Sequence, residues 1–475
     1  MLLQELVADI PCKVIRGKRV VIEGIAFDSR EVKKGYIFVA LSERGELYID
    51  EAIKRGAGAI AGRNLKQIGV PFVLTPHPRQ FLATISKRFY SYPDKRIELI
   101  GITGTNGKTT TSYLLKTILE TAGYKAGIIG TLGYFTGKRL IQGINTTPES
   151  LVIIKLLKEM IDNGMKYAIL EVSSHALSMD RVYGLSFRQA AFTNLSQDHL
   201  DFHKTMEDYK AAKLKLFENL KRDSFAVLNS DDPVSREVKT EAKKVFYGIE
   251  GRADIRATLI KPREEGMLVE LNMDGDIIRV DFPLIGRYNL YNLACAAAMA
   301  HILKIPLDRI KEGAENFKNP KGRMERIIAP KGYSVYIDYA HTPNALKNAL
   351  LTLKGVKKGR LILVFGCGGD RDKKKRPEMG RIATEYGDYV IITSDNPRGE
   401  PPQEIIRDIE KGALRNNYEI LIDRREAICR ALEEAERDDI VLIAGKGHER
   451  YQVIRDKRIP FNDGEVVRRC LQQMS

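Results

Sequence analysis

A glycine-rich segment in the first quarter of the chain carries the strongest chemical signal. It reads GITGTNGKTTT, from Gly101 to Thr111, and lies between an apolar run and a segment with helical periodicity. Glycines let backbone N–H groups surround phosphate oxygens, and the dipole of a following helix favours negative charge. Lys108 would reach the β- and γ-phosphates of a nucleoside triphosphate, and the Thr109 hydroxyl would ligate Mg²⁺. Because Ile102 stands where the strict pattern has glycine, we interpret the segment as a variant P-loop.

Two further segments place metal-binding types of side chain near predicted strand ends. Glu171 ends the apolar run YAILEV, and a carboxylate there, beside a P-loop, is suited to hold Mg²⁺ or to orient water. The segment TNLSQDHLDFH, residues 193–203, contains two of the seven histidines together with Asp198 and Asp201. Such a cluster could bind a divalent ion, although a polar surface loop fits the same residues equally well.

The elements that position these segments follow from alternating apolar runs and helical periodicity. Residues 1–95 contain short apolar runs and a helix-like segment, and the polar SYPDKR (residues 91–96) is a plausible linker. Over residues 96–328, strand-like runs alternate with helices, which predicts a mainly parallel sheet. Over residues 329–475, apolar runs end in loops rich in Gly, Asp or His. We therefore predict an α/β protein of three domains: a small N-terminal one, a central P-loop domain and a C-terminal Rossmann-like domain.

Length and composition exclude several classes of protein. The chain has 475 residues and a formal net charge of +15, and 43% of its residues are hydrophobic. No run of about 18 apolar residues is present, and Glu5 and Asp9 interrupt the N-terminus, so neither a membrane span nor a signal peptide is predicted. The five scattered cysteines argue against a disulfide scaffold or a zinc site and favour a reducing cytoplasm. The positive charge is spread over all three predicted domains, which argues against a localised nucleic-acid-binding surface.

Ten motifs occur in an order that resembles the Mur ligase family, the ATP-dependent amide ligases of peptidoglycan precursor synthesis. They are TGTNGKTTT, EVSSHAL, TNLSQDHLDFH, YKAAKLKLF, GRYNLYN, GRMER, DYAHTPNAL, FGCGGDRDKKKRP, SDNPRGE and GKGHE. The match spans nearly the whole chain and, within the family, is closest to enzymes that add the third residue of the stem peptide. It implies a monomeric, cytoplasmic ligase of cell wall biogenesis that forms ADP and phosphate and has no nucleic-acid or membrane partner.

For ATP and metal ions, the resemblance implies roles for residues of the second and third domains. The catalytic residues would be Lys108, Lys213, His199 and Glu171. Lys213 of YKAAKLKLF matches a lysine that is carbamylated in the family. The Mg²⁺ ligands would be Thr109, Glu171, His199 and the Lys213 carbamate. The residues matched to ATP contacts are Gly104, Thr105, Asn106, Gly107, Lys108, Thr109, Thr110, Asn289, Asn292, Arg323 and Asp338.

For the two other substrates, the resemblance implies two further groups of residues. The residues matched to the UDP-linked substrate are Ser29, Arg30, Asn145, Thr146, Thr147, Ser173 and Arg181. Those matched to meso-diaminopimelate are Arg371, Asp395, Asn396, Pro397, Arg398, Gly445 and Glu449. The planar guanidinium of Arg398 suits the distal carboxylate that distinguishes diaminopimelate from lysine, and Glu449 suits the distal ammonium.

The reaction implied by the resemblance joins meso-diaminopimelate to the D-glutamate γ-carboxylate of UDP-N-acetylmuramoyl-L-alanyl-D-glutamate through an acyl phosphate. Three alternatives stay open. The first is the same chemistry with L-lysine, which Arg398 disfavours. The second is a folylpolyglutamate synthetase, which generally lacks an N-terminal domain of this size before the P-loop. The third is a P-loop ATPase acting on nucleic acid, for which we expect ATP turnover stimulated by DNA or RNA.

Overall fold

Three α/β units follow one another along the chain. The computed structural model describes residues 1–14, 19–64, 69–143, 145–263 and 265–474. Over these residues, sheets of five, eleven and six strands occur in chain order, with one additional two-stranded hairpin. The α/β class predicted from the alternation of apolar runs and helices is thereby confirmed.

The N-terminal unit is a small sheet of short strands. Its strands are β1 (Lys13–Val14), β2 (Gly24–Ala26), β3 (Tyr36–Val39), β4 (Ala59–Gly62) and β5 (Phe72–Leu74). Its helices are α1 (Leu3–Leu6), α2 (Glu43–Glu46), α3 (Ile49–Lys54) and α4 (Pro78–Phe89). The strand order is β1-β5-β4-β3-β2, and only β1 runs antiparallel to its neighbour. Helix α4 buries Phe81, Leu82 and Ile85 against this sheet.

The central unit is built on the eleven-stranded sheet, in the order β16-β15-β14-β13-β12-β11-β6-β10-β7-β8-β9. Its strands are β6 (Glu98–Thr103), β7 (Ala126–Gly130), β8 (Gly133–Phe135), β9 (Leu140–Ile141), β10 (Tyr167–Glu171), β11 (Phe187–Phe192), β12 (Phe225–Asn229), β13 (Lys243–Gly248), β14 (Ile255–Arg263), β15 (Gly266–Met273) and β16 (Asp276–Phe282). Its helices are α5 (Lys108–Thr121), α6 (Ser150–Asp162), α7 (Ser174–Ser178), α8 (Leu200–His203), α9 (Met206–Glu218), α10 (Arg287–Ile302) and α11 (Leu307–Glu315). The strands from β14 to β7 are parallel, and antiparallel strands flank them at both edges.

The middle of this sheet is apolar on both faces. Five of the six residues of β6 are buried, as is typical of a parallel strand covered by helices on both sides. Ile100 and Ile102 pack into the same core as Leu114 and Ile118 of α5. This packing fixes the carboxyl end of β6 against the first turn of α5, which is where the glycine-rich segment lies.

The C-terminal unit has a six-stranded sheet in the order β17-β18-β22-β19-β20-β21. Its strands, with the hairpin β23–β24, are β17 (Glu325–Ile328), β18 (Ser334–Asp338), β19 (Leu361–Phe365), β20 (Tyr389–Ile392), β21 (Tyr418–Ile420), β22 (Ile440–Ala444), β23 (Tyr451–Ile454) and β24 (Lys457–Pro460). Its helices are α12 (Pro343–Lys354), α13 (Lys375–Tyr386), α14 (Pro402–Glu410), α15 (Arg424–Glu434) and α16 (Asp463–Met474). The domain boundaries stay predictions, but β17 pairs with β18 across the expected limit at residue 328, which favours a boundary slightly earlier.

One pair of cysteines departs from the expectation drawn from cysteine spacing. Cys429 on α15 and Cys470 on α16 form a disulfide, with their Cα atoms 5.7 Å apart. The spacing argument was directed against a disulfide scaffold, and it did not predict this single pair. The two cysteines are 41 positions apart in sequence, and the side-by-side packing of two helices brings them together, which local spacing does not reveal. Cys12, Cys295 and Cys367 keep free thiols.

A helix that crosses a membrane must be long and apolar. Within the part of the chain that the structure describes, no helix combines the length and the apolar character needed to cross a bilayer.

Candidate active site

A cavity of about 490 Å³ lies where the carboxyl ends of the central strands face the C-terminal unit. Ten of the eleven residues predicted to bind ATP line it, namely Thr105, Asn106, Gly107, Lys108, Thr109, Thr110, Asn289, Asn292, Arg323 and Asp338. Strands of a parallel sheet end at one edge, so residues distant in sequence meet there. The remaining one, Gly104, lies in the same loop and accepts a hydrogen bond from Lys108 Nζ at 2.8 Å.

The glycine-rich loop is short and tightly held between β6 and α5. Gly104 and Gly107 both have positive φ, +143° and +88°. Backbone N–H groups of the loop donate to Asn194, from Thr105 to its carbonyl at 2.8 Å and from Asn106 to its Oδ1 at 3.0 Å. The N-terminus of α5 therefore faces the cavity with a fixed orientation, as phosphate binding requires.

Replacing Gly107 by alanine should weaken ATP binding. A Cβ at this position would lie 2.5 Å from Asn292 Oδ1, and the φ of +88° is strained for alanine. The strain alone costs about 1–2 kcal/mol, and displacement of the Asn292 amide adds to it. We expect the KM for ATP to rise roughly tenfold, since 1.4 kcal/mol is a factor of ten. Gly123→Ala, at the other end of α5, is the matched control.

Gly123 shares the backbone conformation of Gly107 without its neighbours. Its φ is +85°, and a Cβ there would meet nothing within 4 Å. Gly123→Ala should therefore lower the melting temperature through the backbone strain alone and leave the KM for ATP unchanged. Equal KM values for the two variants would show that the contact with Asn292 does not shape the nucleotide site.

Glu171 forms the centre of an oxygen-rich cluster beside the loop. Its side chain is fully buried, and its Oε2 accepts from the Thr109 hydroxyl at 2.9 Å and from the Thr131 hydroxyl at 2.8 Å. Among the described residues it has no cationic partner within 4 Å, which is unusual for a buried carboxylate. The Lys108 ammonium acts on this carboxylate from a longer distance, and a buried carboxylate surrounded by hydroxyl oxygens fits a magnesium ion.

Lys213 is a buried cation without a carboxylate partner in the described chain. It is 2% exposed, lies on α9, and its Nζ donates to the Gly104 carbonyl at 2.8 Å. Burial lowers its pKa well below the usual 10.5, and the nearby Lys108 ammonium lowers that pKa further. Lys213 is therefore readily neutral, and a neutral amine is the form that reacts with CO₂. The site fits the predicted carbamate.

His199 lies beside Asp198, with 3.3 Å between His199 Nε2 and Asp198 Oδ2. Burial lowers the pKa of His199 to about 3, so it is a neutral imidazole at physiological pH and available as a ligand. The wider cluster suggested by TNLSQDHLDFH does not form, because His203 Nε2 bonds to Ser174 Oγ at 2.9 Å instead. Over the described ranges, no group of three or more His, Cys, Asp or Glu side chains is placed to hold a metal ion.

The two asparagines of α10 form one buried network at the far end of the cavity. Asn289 Nδ2 donates to the Ile285 carbonyl at 2.8 Å, and Asn292 Nδ2 donates to Asn289 Oδ1 at 2.8 Å. The Thr111 hydroxyl donates to Asn292 Oδ1 at 3.3 Å. This network connects α10 to the first turn of α5.

The C-terminal unit closes the cavity with Arg323 and Asp338. Arg323 Nη2 donates to the Thr109 hydroxyl at 3.3 Å, and its guanidinium lies 4.7 Å from the centre of the Tyr339 ring. Asp338 Oδ2 accepts from the Met324 backbone N–H at 2.8 Å, and burial raises the pKa of this carboxyl. The arginine therefore reaches across the unit boundary to the phosphate end of the site.

The residues predicted to contact the UDP-linked substrate fall into two places. Thr146 and Ser173 line the cavity. Thr147 lies beneath them, with its hydroxyl donating to the Glu171 carbonyl at 2.7 Å, and Arg181 Nη1 donates to the Thr147 carbonyl at 2.9 Å. The exposed Asn145 contributes its carbonyl, which accepts from the Tyr134 hydroxyl.

Ser29 and Arg30 lie in the N-terminal unit, outside this cavity. The Ser29 hydroxyl donates to Glu51 Oε2 at 2.8 Å, and Arg30 Nε donates to Asp28 Oδ1 at 2.9 Å. The structure therefore separates the two ends of the predicted substrate site, and a long ligand would be needed to contact both.

The residues predicted to bind diaminopimelate gather at the carboxyl ends of β19, β20 and β22. Asn396 Nδ2 donates to Glu449 Oε2 at 2.8 Å, and Arg398 Nη1 donates to the Gly369 carbonyl at 2.8 Å. Arg371 lies close to Arg398, and burial followed by the charge of Arg371 lowers the pKa of Arg398. The Asp395, Glu449 and Asp370 carboxylates act on Arg398 in the opposite direction, although none of them forms an ion pair with it within 4 Å in the described residues.

Asp395, Pro397 and Gly445 frame the same region. Asp395 is 8% exposed, and its carbonyl accepts from Gln452 Nε2 at 2.6 Å. Gly445 lies against Asp395, since a Cβ there would be 2.7 Å from Asp395 Oδ2. The Pro397 carbonyl packs against Gly369.

A second cavity, of about 300 Å³, adjoins the first. It is lined by His175, His199, Asp201, Phe202 and Arg371. His199 lines both cavities. The second cavity therefore places Arg371 of the C-terminal unit beside His199 of the central unit.

Several residues that shape these sites were not predicted. The Thr131 hydroxyl donates to Glu171 Oε2 at 2.8 Å, much as the Thr109 hydroxyl does. In the sequence, only the position of Thr131 directly after β7 could have indicated this role. Lys446 is fully buried, and its Nζ donates to Asn396 Oδ1 at 3.0 Å and to Glu449 Oε2 at 2.8 Å. Its position inside the GKGHE motif, between Gly445 and Glu449, was sufficient to find it.

Comparisons with known proteins identify the family. Residues 102–300 match the model of the Mur ligase middle domain, and residues 322–447 match that of the Mur ligase, glutamate ligase domain. The chain is 42% identical to the UDP-N-acetylmuramoyl-L-alanyl-D-glutamate--2,6-diaminopimelate ligase of Clostridium perfringens over 98% of this chain and 99% of that protein. The ligase of the same name from Caldanaerobacter subterraneus is also 42% identical, over 100% of this chain and 99% of that protein.

Solved structures agree with this assignment. A structure of a UDP-N-acetylmuramoyl-L-alanyl-D-glutamate--2,6-diaminopimelate ligase is 32% identical, with a TM-score of 0.71, over 100% of this chain and 99% of that one. The MurF ligase of Thermotoga maritima, solved in complex with ADP, shares the fold at 20% identity, with a TM-score of 0.68, over 96% of this chain and 99% of that one. The chain belongs to the Mur ligase family of ATP-dependent ligases, as its motifs implied.

Proposed function

We propose that this protein joins meso-diaminopimelate to the γ-carboxylate of D-glutamate in UDP-N-acetylmuramoyl-L-alanyl-D-glutamate, converting ATP to ADP and phosphate. The observation that carries the choice of amino acid is the pair of guanidinium groups of Arg371 and Arg398, which lack a carboxylate partner within 4 Å in the described chain. The relatives that are 42% identical over their full length are named for this reaction. The cytoplasmic location and the monomeric state stay predictions.

The proposed reaction has two steps, both at the junction of the two cavities. The γ-carboxylate of the UDP-linked substrate attacks the γ-phosphate of ATP and forms an acyl phosphate and ADP. The free amine of diaminopimelate then attacks the acyl carbon, the C–N bond forms, and the C–O bond to phosphate breaks. The amine proton leaves to solvent or phosphate. No side-chain nucleophile is required.

The contribution of the chain is to bring together groups that repel each other. Lys108 and Arg323 offset the charge between carboxylate and triphosphate, and the backbone of the Gly104–Gly107 loop orients the phosphates. Thr146, Thr147, Ser173 and Arg181 position the acceptor, while Ser29 and Arg30 bind its uridine end. Since Arg323 and Asp338 come from the C-terminal unit, movement of that unit would assemble and open the site.

We propose that Thr109, Glu171, His199 and a carbamylated Lys213 hold Mg²⁺. When bound, the metal supplies electrostatic stabilisation of charge on the phosphate oxygens. The fully buried Glu171 carboxylate, its contact with the Thr109 hydroxyl and the depressed pKa of Lys213 support this assignment. Carbamylation of the neutral amine would place an anion near the Lys108 ammonium, which is a favourable pairing of charges.

Replacing Arg398 by alanine should raise the KM for diaminopimelate and leave the KM for ATP nearly unchanged. Loss of a desolvated guanidinium–carboxylate contact costs roughly 2–5 kcal/mol, or at least about thirtyfold in kcat/KM. Steady-state release of ADP with each substrate varied in turn gives both constants. Arg415→Ala, which removes an exposed arginine of the same unit, should change neither. An unchanged KM for diaminopimelate in Arg398→Ala would remove Arg398 from the pocket.

The direct test of the proposed function is ADP release that depends on both the UDP-linked dipeptide and diaminopimelate. Release that depends on the dipeptide alone, or on nucleic acid, would contradict it.

A further inference from the structure

Arg376 is a fully buried charged side chain of the C-terminal unit. It lies in the first turn of α13 and is 0% exposed. Its Nη2 donates to Glu400 Oε1 at 2.9 Å and to the Gly368 carbonyl at 3.2 Å, and its Nη1 donates to Glu400 Oε2 at 3.0 Å. Nη1 also donates to Asp408 Oδ2 on α14, at 3.0 Å. Arg376 and Glu400 thus form a bidentate ion pair inside the protein.

This ion pair connects two loops, which we name by their arginines. The Arg371 loop is residues 366–374, and the Arg398 loop is residues 393–401. Glu400, at the end of the Arg398 loop, accepts from the Asp370 backbone N–H of the Arg371 loop at 2.6 Å. Asp370 Oδ2 in turn accepts from the Gly399 backbone N–H at 3.0 Å. Each loop therefore holds the other by a side chain, and Arg376 holds both.

The two loops need such a connection because they bring like charges together. Arg371 and Arg398 lie close enough for the charge of Arg371 to lower the pKa of Arg398. Without a bound anion, two adjacent guanidinium groups repel each other and favour separation of their loops. Arg398 also has a φ of +52°, a backbone conformation that is uncommon for arginine and that the surrounding contacts must maintain.

We propose that the Arg376–Glu400 ion pair is a positioning element that sets the spacing of Arg371 and Arg398 and so determines selectivity for an amino acid with a second carboxylate. This inference rests on the proposed function, because it assumes that the two arginines bind the distal carboxylate. Neither Arg376 nor Glu400 touches the substrate in this account. They act by keeping the anion site at a fixed width, and a fixed site loses less free energy on binding than one that must first form.

Glu400→Gln is the principal test. The glutamine keeps the shape of the side chain, but its amide nitrogen would face an N–H group of the guanidinium. We expect the KM for diaminopimelate to rise at least tenfold, and the preference for diaminopimelate over lysine in kcat/KM to fall at least tenfold. The KM values for ATP and the UDP-linked dipeptide should stay within about twofold of those of the wild type, because those sites lie outside the two loops.

Asp408→Asn is the matched control. Asp408 accepts from the same guanidinium at the same 3.0 Å but lies on α14, outside both loops. Asp408→Asn should lower thermal stability as Glu400→Gln does, and leave the selectivity between diaminopimelate and lysine unchanged. If both variants lost the same selectivity for diaminopimelate over lysine, the ion pair would have only a structural role, and the proposal would be overturned.

A second pair of variants covers the case in which Glu400→Gln does not fold. Asp370 is exposed and has a φ of +51°, which asparagine tolerates and alanine does not. Asp370→Asn and Asp370→Ala lose the same charge, but only asparagine can still accept from Gly399. We expect the KM for diaminopimelate to be at least threefold higher in Asp370→Ala than in Asp370→Asn, and equal values would contradict the proposal.

The selectivity of the wild-type enzyme between diaminopimelate and lysine distinguishes a wrong role for the ion pair from a wrong proposed function. A wild-type enzyme that uses lysine as well as diaminopimelate would contradict the proposed function. A selective wild type with an equally selective Glu400→Gln would contradict only the role of the ion pair.

Discussion

Lys213→Ala should abolish ligase activity without unfolding the protein, with kcat falling by roughly 10²–10³-fold or more. Lys213 is 2% exposed and its Nζ reaches the Gly104 carbonyl of the phosphate-binding loop. If the lysine is carbamylated, as we propose, the variant loses an anionic metal ligand rather than a cation. A short carboxylate such as formate or acetate, at high concentration, should then enter the vacated space and restore part of the activity.

Lys215→Ala is the control for this experiment. Lys215 lies on the same helix, two residues further on, and is exposed. It should keep full activity, with or without added carboxylate. Incubation of the wild type with isotopically labelled bicarbonate should give a carbamate carbon resonance that Lys213→Ala lacks. A fully active Lys213→Ala, or an inactive one that no carboxylate rescues, would contradict the carbamate.

Lys108→Met should produce the second large loss, again roughly 10²–10³-fold in kcat. The Lys108 ammonium bridges the Gly104 and Thr105 carbonyls at 2.8 and 3.0 Å, so it both closes the loop and places a positive charge at the phosphate end of the cavity. Methionine has a similar length and no charge. Because Lys108 also lowers the pKa of Lys213, its removal favours the protonated form of Lys213, which does not react with CO₂.

This coupling gives Lys108→Met a signature beyond lost activity. The carbamate signal from labelled bicarbonate should weaken in Lys108→Met and persist in Lys125→Met, where an exposed lysine just after α5 is replaced. The loss in a Lys108→Met, Lys213→Ala double variant should be smaller than the product of the single losses, since the two residues act on one another. A Lys108→Met enzyme with wild-type kcat would show that the loop backbone alone neutralises the phosphates.

Much of the central site follows directly from the sequence because its parts are local. The loop between Thr103 and Lys108 contains its own glycines and helix start, so strand, turn and helix could be predicted together. Glu171 ends a strand that pairs with β6 in parallel, and parallel strands bring their carboxyl ends to one edge. A motif on each strand was therefore sufficient to predict that Glu171 lies beside the glycine-rich loop, where it accepts from the Thr109 hydroxyl.

Contacts between distant segments could not be predicted in this way. The Arg376–Glu400 ion pair depends on how two loops and the first turn of α13 pack, and its residues read as ordinary surface charges in sequence. The Cys429–Cys470 disulfide depends on the packing of α15 against α16. The sequence left open whether TNLSQDHLDFH forms a divalent-ion cluster or a polar loop for the same reason, since the contact of His203 with Ser174 depends on packing.

The decisive measurement on this protein is the identity of the amino acid that it adds. ADP release would be measured with ATP, UDP-N-acetylmuramoyl-L-alanyl-D-glutamate and either meso-diaminopimelate or L-lysine, over a range of each amino acid. A preference of at least about thirtyfold in kcat/KM for diaminopimelate is expected from a guanidinium–carboxylate contact worth roughly 2 kcal/mol or more. Equal turnover with lysine would contradict the role assigned to Arg371 and Arg398.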